Sequence, residues 1–203
     1  MKQKVKISVL VSGGGTNLQA LIDSIENGSL PNAEIVQVIS SREGAFALER
    51  AKKAGIKGIV ISKKDFPDQN MLVQELIKAL DAEETDLIVL AGYMSIVHPD
   101  VIKRYTKRII NIHPALIPKF SGKGFYGAKV HKAVIEAGEK VSGATVHFVD
   151  EGIDTGEIIL QREVPVKEGD DENTLAARVL EIEHIILPEA VRLVISKIPA
   201  PLE

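Results

Sequence analysis

The sequence predicts an α/β protein with an open, mostly parallel sheet. Along the first half, short apolar runs alternate with segments of helical period, which implies right-handed crossovers between parallel strands. The second half has longer β-rich segments around a loop rich in proline, glycine and lysine. We therefore predict one domain over residues 1–203, with a Rossmann-like half of about 1–113 and a second half of about 114–203.

The strands of the first half are short apolar runs, predicted at residues 5–11, 35–39, 58–61, 87–91 and 109–112. Such runs are typical of strands that are buried on both faces of a parallel sheet. Helices between them follow from apolar residues at three- and four-residue spacing. We expect helices over 18–25, 46–54 and about 73–80, and a short one that begins at His98-Pro99.

The chain changes character after residue 113. Residues 114–128 predict a long functional loop, 130–137 a helix, and 144–149 and 157–166 two β segments. A last helix begins after the acidic group 170–172, because negative charge suits a helix N-terminus. We expect Pro188 to kink or end that helix, His184 to be exposed, and His131 to lie on the surface of its own helix.

Composition excludes several classes of function. The 25 Lys and Arg against 28 Asp and Glu give a slightly acidic chain, which disfavours general nucleic-acid binding. The absence of cysteine excludes disulfides, thiolate metal sites and cysteine nucleophiles. No apolar run approaches the roughly 20 residues that span a bilayer, and the basic residues 1–4 precede a buried strand rather than a signal peptide. We expect a cytoplasmic protein without membrane contact, as a monomer or homodimer.

A glycine loop, residues 12–17, joins the first strand to the first helix with the sequence Ser-Gly-Gly-Gly-Thr-Asn. Glycines bring backbone N–H groups close to an anion at a helix N-terminus. The dinucleotide pattern fails because Leu18 stands at its third glycine, and the G-K-[ST] of a P-loop is absent. The alternative to an anion site is a tight turn with Thr16 or Asn17 as N-cap. A monophosphate site would be formed by Gly13, Gly14, Gly15, Thr16 and Asn17.

Three polar residues predict acyl transfer chemistry. Asn111 and His113 share a face at the end of the fifth strand, where open α/β sheets bind ligands. Asp154, in a glycine-flanked turn, can fold back towards His113, where it would raise the pKa of the imidazole and suit it as a general acid. The Asn111 amide suits stabilisation of an oxyanion.

Alternatives stay open for these residues. His113 could be structural with Asp154 as a turn former, and Asp150 or Glu151 could replace Asp154 in the acidic role. A metal site of His113, His147 and a carboxylate is possible, although no close H-x-H or H-E-x-x-H spacing supports it. A non-catalytic sensor of a phosphorylated metabolite would use the glycine loop alone.

Five segments in order along the chain resemble the phosphoribosylglycinamide formyltransferase family, folate-dependent one-carbon transferases of purine synthesis. They are residues 12–20, 90–94, 111–118, 143–149 and 154–156, with an N-x-H-P motif at Asn111 and a D-x-G motif at Asp154. The resemblance implies a formyltransferase fold with a nucleotide-binding half of about 1–113 and a C-terminal half of about 114–203 that binds folate and carries the catalytic loop. It implies direct transfer of a formyl group from 10-formyltetrahydrofolate to the amine of glycinamide ribonucleotide, without a metal.

The resemblance also implies roles for residues. Asn111 would hold the formyl oxygen, His113 would be the general acid, and Asp154 would orient and charge it. The glycine loop would take the substrate phosphate, and Glu183 would contact the glycinamide substrate. The folate side would comprise Met94, Ser95, Ile96, Val97, Asn111, His147, Asp150 and Asp154. Two positions depart from the family pattern, since many members carry Asn at Gly14 and Arg near the folate glutamate, where Gln69 is the best match.

Two related enzymes share the Asn–His–Asp core. Methionyl-tRNA formyltransferase usually adds a C-terminal tRNA-binding domain, which the end of the chain at Glu203 disfavours. Formyltetrahydrofolate deformylase usually adds an N-terminal regulatory domain, which a first strand at Val5 disfavours. The glycine loop favours a phosphorylated acceptor over water.

Overall fold

A computed structural model describes residues 4–198, and the strands of this part of the chain form one seven-stranded sheet. They are β1 (Val5–Val11), β2 (Ala33–Ser40), β3 (Lys57–Val60), β4 (Leu87–Leu90), β5 (Ile109–His113), β6 (Val141–Phe148) and β7 (Ile158–Pro165). The order across the sheet is β3-β2-β1-β4-β5-β6-β7. Pairs among β1 to β5 are parallel, and β6 pairs antiparallel with β5 and β7. The predicted open, mostly parallel α/β fold is confirmed.

Helices cover both faces of this sheet. They are α1 (Thr16–Glu26), α2 (Phe46–Lys53), α3 (Gln69–Ala82), α4 (Pro99–Arg104), α5 (Ala128–Glu136) and α6 (Glu172–Ile195). One apolar cluster joins the sheet to α1, α2, α5 and α6, and a second joins it to α3 and α4. Strands β1 and β4 contribute to both clusters, which explains why their sequences are unbroken apolar runs.

Helix starts differ in a way that bears on the site. The Asp171 side chain accepts from the N–H groups of Asn173 and Thr174 and caps α6, and the Asp68 side chain caps α3. Helix α1 has no side-chain cap and begins after Gly15, whose φ is +72°. The alternative in which Thr16 or Asn17 caps α1 is therefore wrong, and the first-turn N–H groups of this helix receive no side-chain acceptor from the described residues.

Three expectations about helical residues need correction. Of the two outcomes expected at Pro188, an end of helix α6 is wrong, and a kink there stays a prediction. The helix continues to Ile195, because Pro188 and its neighbours are buried in the core and packing holds the helix across the lost hydrogen bond. His131 is 5% exposed rather than a surface residue, since it lies on the buried side of α5. His184 is half-buried rather than exposed.

Helix α6 connects the two halves of the sequence, since it packs against α1, α5, β6 and β7. The division at residue 113 stays a prediction. Between residues 4 and 198, no helix combines the length and the apolar character needed to cross a membrane. The features predicted from residues 1–3 and from Glu203 lie outside the described part of the chain.

Candidate active site

Three loops of the candidate site follow parallel strands and so lie at one edge of the sheet. The glycine loop follows β1, the segment 91–98 follows β4, and residues 114–127 follow β5. The hydroxyl of Ser12 accepts a hydrogen bond from the Met94 N–H at 2.9 Å and lies 2.6 Å from the Ser41 hydroxyl. The glycine loop is thereby joined directly to the loop after β4.

The His113 imidazole is buried at the end of β5, with 4% of the residue exposed. Its Nε2 lies 2.8 Å from the Phe120 carbonyl oxygen, and its Nδ1 lies 3.7 Å from Asp154 Oδ2. Because a carbonyl oxygen only accepts, Nε2 must carry a hydrogen. Proton exchange at this ring therefore falls on Nδ1, the nitrogen that faces Asp154. The predicted approach of Asp154 to His113 is confirmed by this geometry.

The pKa of His113 is lowered, contrary to the expectation from the sequence. Burial is the largest cause, because it disfavours the charged ring, and the neighbouring His147 acts in the same direction. The Phe120 carbonyl and the Asp154 carboxylate raise the pKa but do not outweigh burial. His113 is therefore a neutral imidazole at neutral pH. When the ring takes up a proton, the Asp154 carboxylate stabilises the resulting charge.

Asp154 is held in place by its turn and by the long loop after β5. Its φ is +57°, a region that residues other than glycine seldom occupy, and the Gly122 N–H donates to its Oδ2 at 2.9 Å. Burial raises the pKa of this carboxyl, but the His147 imidazole and the Gly122 N–H outweigh burial and leave the pKa lowered. Asp154 is therefore an anion at neutral pH.

The glycine of the D-x-G motif has a steric reason. A Cβ built on Gly156 would lie 1.8 Å from the Phe148 carbonyl oxygen, so a side chain at this position would push the end of β6 away from the turn. Gly156 thus allows the turn that carries Asp154 to close against β6.

His147 orients Asn111 across the β5–β6 pair, in which the two residues are direct partners. Its Nδ1 lies 2.8 Å from the Phe148 carbonyl oxygen, so Nδ1 carries a hydrogen, and its Nε2 lies 3.2 Å from Asn111 Nδ2. His147 Nε2 also lies 3.6 Å from Asp154 Oδ1. The Asn111 amide keeps a second N–H, which suits donation to a carbonyl oxygen that gains negative charge.

Asn17 and Glu183 meet beside the glycine loop. Asn17 Nδ2 donates to Glu183 Oε2 at 2.6 Å, so this N–H is not directed at the loop as the sequence suggested. Glu183 is 8% exposed, and burial raises its pKa to about 7 although the Asn17 hydrogen bond acts in the opposite direction. Glu183, expected at the edge of the apolar stripe of α6, is thus one of its buried residues.

The predicted folate residues fall into two groups. Met94 and Ile96 are 58% and 78% exposed, so two apolar side chains near the glycine loop are accessible to solvent. Val97 packs in the core cluster with α3 and α4, which leaves its backbone as the part that could line a pocket. Asp150 accepts from the Gly152 N–H and the Thr155 hydroxyl within its own turn. Contact of these residues with folate stays a prediction.

The metal alternative named His113, His147 and a carboxylate, and these groups do lie together around Asp154. Among the residues described, however, no three side chains of the His, Cys, Asp and Glu types are grouped so that they could hold an ion. The hydrogen bonds that His113 and His147 make to backbone carbonyls instead fit acid–base roles.

Sequence reasoning missed contacts that the backbone provides. The Phe120 carbonyl and the Gly122 N–H hold His113 and Asp154, and neither contact leaves a side-chain pattern in the sequence. It also missed Thr145, whose hydroxyl donates to the Ala115 carbonyl at 2.6 Å and supports the loop after β5. Pairing β5 with β6 could have identified Thr145, because it is the cross-strand partner of His113.

The fold and the site together define an open-sheet α/β protein. Its acid–base side chains lie at the same edge of the sheet as the glycine loop, which leads into the uncapped helix α1. The sequence profile of the formyl transferase family matches residues 5–191. The chain belongs to the formyl transferase family.

Relatives and solved structures agree with this assignment. The chain is 48% identical over 192 residues to the trifunctional purine biosynthetic protein adenosine-3 of Drosophila pseudoobscura pseudoobscura, covering 94% of this chain and 14% of the relative. It is 39% identical to a chloroplastic phosphoribosylglycinamide formyltransferase of Vigna unguiculata, covering 93% of this chain and 60% of the relative. The chain thus spans less than two thirds of the length of these relatives. The crystal structure of glycinamide ribonucleotide transformylase 1 from Symbiobacterium toebii superposes with a TM-score of 0.88 at 42% identity, covering 94% and 87% of the two chains.

Proposed function

We propose that this chain transfers the formyl group of 10-formyltetrahydrofolate to the amine of 5'-phosphoribosylglycinamide, a step of de novo purine biosynthesis. The observation that carries the proposal is the convergence of Asn111, His113 and Asp154 beside His147 at the edge that also holds the glycine loop. The names of the purine-biosynthetic and formyltransferase relatives support the choice of substrates.

Asn111, His113 and Asp154 divide the work of the transfer. The folate supplies the formyl group. Asn111 donates an N–H to the formyl oxygen, which gains negative charge when the substrate amine attacks. His113, neutral at rest, takes a proton at Nδ1 and later returns it to the nitrogen that leaves. Asp154, an anion beside His113 Nδ1, stabilises the imidazolium between these two proton transfers.

Binding of the two substrates falls on the flanking loops. The N–H groups of the glycine loop and the hydroxyl of Thr16 hold the substrate phosphate at the start of α1, and Glu183 contacts the remainder of the ribonucleotide. Met94, Ser95, Ile96, Val97, His147 and Asp150 form the folate side of the site. The exposed side chains of Met94 and Ile96 fit this role, because a pterin ring covers apolar surface.

The proposal includes a cytoplasmic enzyme that acts on small molecules, without nucleic-acid or membrane partners and without a metal, as a monomer or homodimer. The names of the Vigna unguiculata and Arabidopsis thaliana relatives include the word chloroplastic, which is said of those proteins.

Isotope-labelled formyl transfer tests the proposal directly. The purified protein should move the label from 10-formyltetrahydrofolate to glycinamide ribonucleotide, and His113→Ala should abolish the transfer. His98→Asn is the matched control, since it removes an imidazole that caps α4 and replaces it with another good N-cap residue. Release of labelled formate without any transfer would overturn the proposal in favour of a hydrolase, and a label that stays on the folate would exclude both.

A further inference from the structure

The carbonyl groups of the glycine loop point towards helix α2. The Gly13 carbonyl accepts from the Ala47 N–H at 3.1 Å, and the Gly14 carbonyl accepts from Arg50 Nε at 2.8 Å. Ala47 and Arg50 lie about one helical turn apart on α2. Two consecutive peptide units of the loop are therefore oriented by the same helix, one through its backbone and one through a side chain.

This orientation fixes where the loop N–H groups point. In a trans peptide the carbonyl and the following N–H point in opposite directions. The N–H groups of Gly14 and Gly15 therefore face away from α2, and neither donates to a backbone acceptor in the described chain. They lie beside the uncapped first turn of α1, so consecutive N–H groups form a concave anion-binding arrangement.

Arg50 itself is held on three sides. Its Nη1 donates to Gln19 Oε1 on α1 at 3.1 Å, and its guanidinium lies over the Phe46 ring, 5.1 Å from the centroid. Its Nε is the group that reaches the Gly14 carbonyl. Because the guanidinium is a planar fork, it can donate to a carbonyl and a side-chain amide at once in this fixed geometry.

We infer that Arg50 is a positioning residue for phosphate binding, which acts by turning the Gly14–Gly15 peptide so that its N–H faces the ligand. This inference rests on the proposed function only in that the loop binds a phosphate. In this role Arg50 acts through its bonds to the Gly14 carbonyl and the Gln19 amide oxygen and needs no contact with the ligand. The hydrogen bond, rather than the positive charge alone, is what the site needs.

Two substitutions at Arg50 separate the effect of its hydrogen bonds from the effect of its charge. A third substitution, on the same helix, controls for the loss of a positive charge. Arg50→Ala removes both the charge and the fork, whereas Arg50→Lys keeps the charge and loses the simultaneous bonds. Lys53→Gln removes a positive charge from the same helix, where the ammonium of Lys53 also lies over the Phe46 ring, 5.9 Å from its centroid. Circular dichroism and thermal melting show that each variant is folded.

The measurement is a titration of the full chain with inorganic phosphate, followed through the Gly14 and Gly15 amide signals in NMR spectra. We expect both Arg50 variants to bind phosphate roughly tenfold more weakly. This is about the effect of losing one hydrogen bond from a loop N–H to the charged phosphate. Lys53→Gln should change binding by less than about twofold, because its charge is exposed and screened. In the transfer assay the KM for the ribonucleotide should rise in both Arg50 variants while kcat and the KM for folate stay nearly constant.

Rescue gives a second readout that a purely stabilising role would not produce. Millimolar guanidinium should restore phosphate affinity to Arg50→Ala, which leaves space for the ion, but not to Arg50→Lys. Phosphate affinity of Arg50→Lys equal to that of the unmodified chain would overturn the inference, because charge alone would then suffice. Unchanged affinity in Arg50→Ala with a lowered melting temperature would reduce Arg50 to a stabilising residue. If phosphate leaves the Gly14 and Gly15 signals of the unmodified chain unmoved, the proposed phosphate site fails instead.

Discussion

Asn17 and Glu183, one on the first helix and one on the last, share a hydrogen bond of 2.6 Å between Nδ2 and Oε2. The Glu183 carboxyl is buried, and burial raises its pKa to about 7. A group that changes charge near neutral pH is thus built into the wall beside the glycine loop.

Glu183→Gln is predicted to stabilise the protein at alkaline pH. The folded pKa of about 7 lies above the ordinary value of 4.5, so the stability contributed by the neutral carboxyl is complete below pH 4.5 and is lost as the pH rises to 7. Glutamine keeps an acceptor for Asn17 without the buried charge. Urea unfolding should show a gain on the order of 2–3 kcal/mol at pH 8 and a much smaller one at pH 5. An equal difference at both pH values would contradict the role of this carboxyl.

Asp154→Asn is predicted to fold normally and to lose several orders of magnitude in turnover. Asparagine tolerates the positive φ of this turn and can still accept from the Gly122 N–H, but it removes the negative charge beside His113 Nδ1. Thermal unfolding should be nearly unchanged, and the transfer assay measures the loss. Turnover close to that of the unmodified enzyme would refute the role assigned to Asp154.

The acid limb of the pH–rate profile should lie below pH 6.5. Burial lowers the pKa of His113, so the neutral ring that accepts a proton persists to lower pH than in an exposed histidine. NMR titration of the His113 ring measures this directly, and Asp154→Asn should lower its pKa further because the carboxylate acts to raise it. A His113 pKa above 6.5, or one that rises in Asp154→Asn, would show that the carboxylate outweighs burial or does not act on the ring.

Gly15→Ala and Gly14→Ala form a matched pair for the glycine loop. At Gly15 a Cβ would lie 2.6 Å from the Ala47 Cβ, and the φ is +72°, whereas a Cβ at Gly14 meets nothing within 4 Å. Clash and backbone strain together should cost Gly15→Ala about 2–4 kcal/mol, and Gly14→Ala should cost less than about 1 kcal/mol. Chemical denaturation of both variants checks the contrast, and equal losses would mean that the loop relaxes freely away from α2.

Inorganic phosphate is predicted to compete with the ribonucleotide substrate and not with folate. In the proposed site, the loop N–H groups and the start of α1 would bind the phosphate of one substrate only, so the apparent KM of that substrate alone should rise with phosphate. Steady-state kinetics at several phosphate concentrations measure both constants. Mixed competition against both substrates would count against a phosphate site in the glycine loop.

Much of the fold was predictable because the sheet is buried on both faces. Unbroken apolar runs such as Val5–Val11 and helical periods such as Leu18, Leu21 and Ile22 carry strong local signals. Pro188 misled because its cost to α6 is local, whereas the packing that holds the helix comes from distant elements. His131 misled for a similar reason, since its burial depends on how α5 packs in the tertiary structure.

The site was predictable where spacing along a strand determines direction, as for Asn111 and His113. The pKa of His113 was not, because its burial depends on the surrounding loops, including the one that places the Phe120 carbonyl against the ring. The Asn17–Glu183 hydrogen bond joins residues that are 166 positions apart, and residue spacing predicts contacts only within one helix or strand. Backbone contacts such as Gly122 to Asp154 leave no side-chain pattern at all.

The packing of α6 against α1 also constrains the order in which this chain matures on the ribosome. The part of α1 that packs against α6 and the Asn17 amide lack these partners until α6 has emerged from the exit tunnel, although β1 to β5 have been translated long before. An emerging polypeptide without α6 leaves that surface exposed, and exposed apolar surface favours aggregation. We therefore expect a chain that terminates before Glu172 to be prone to misfolding.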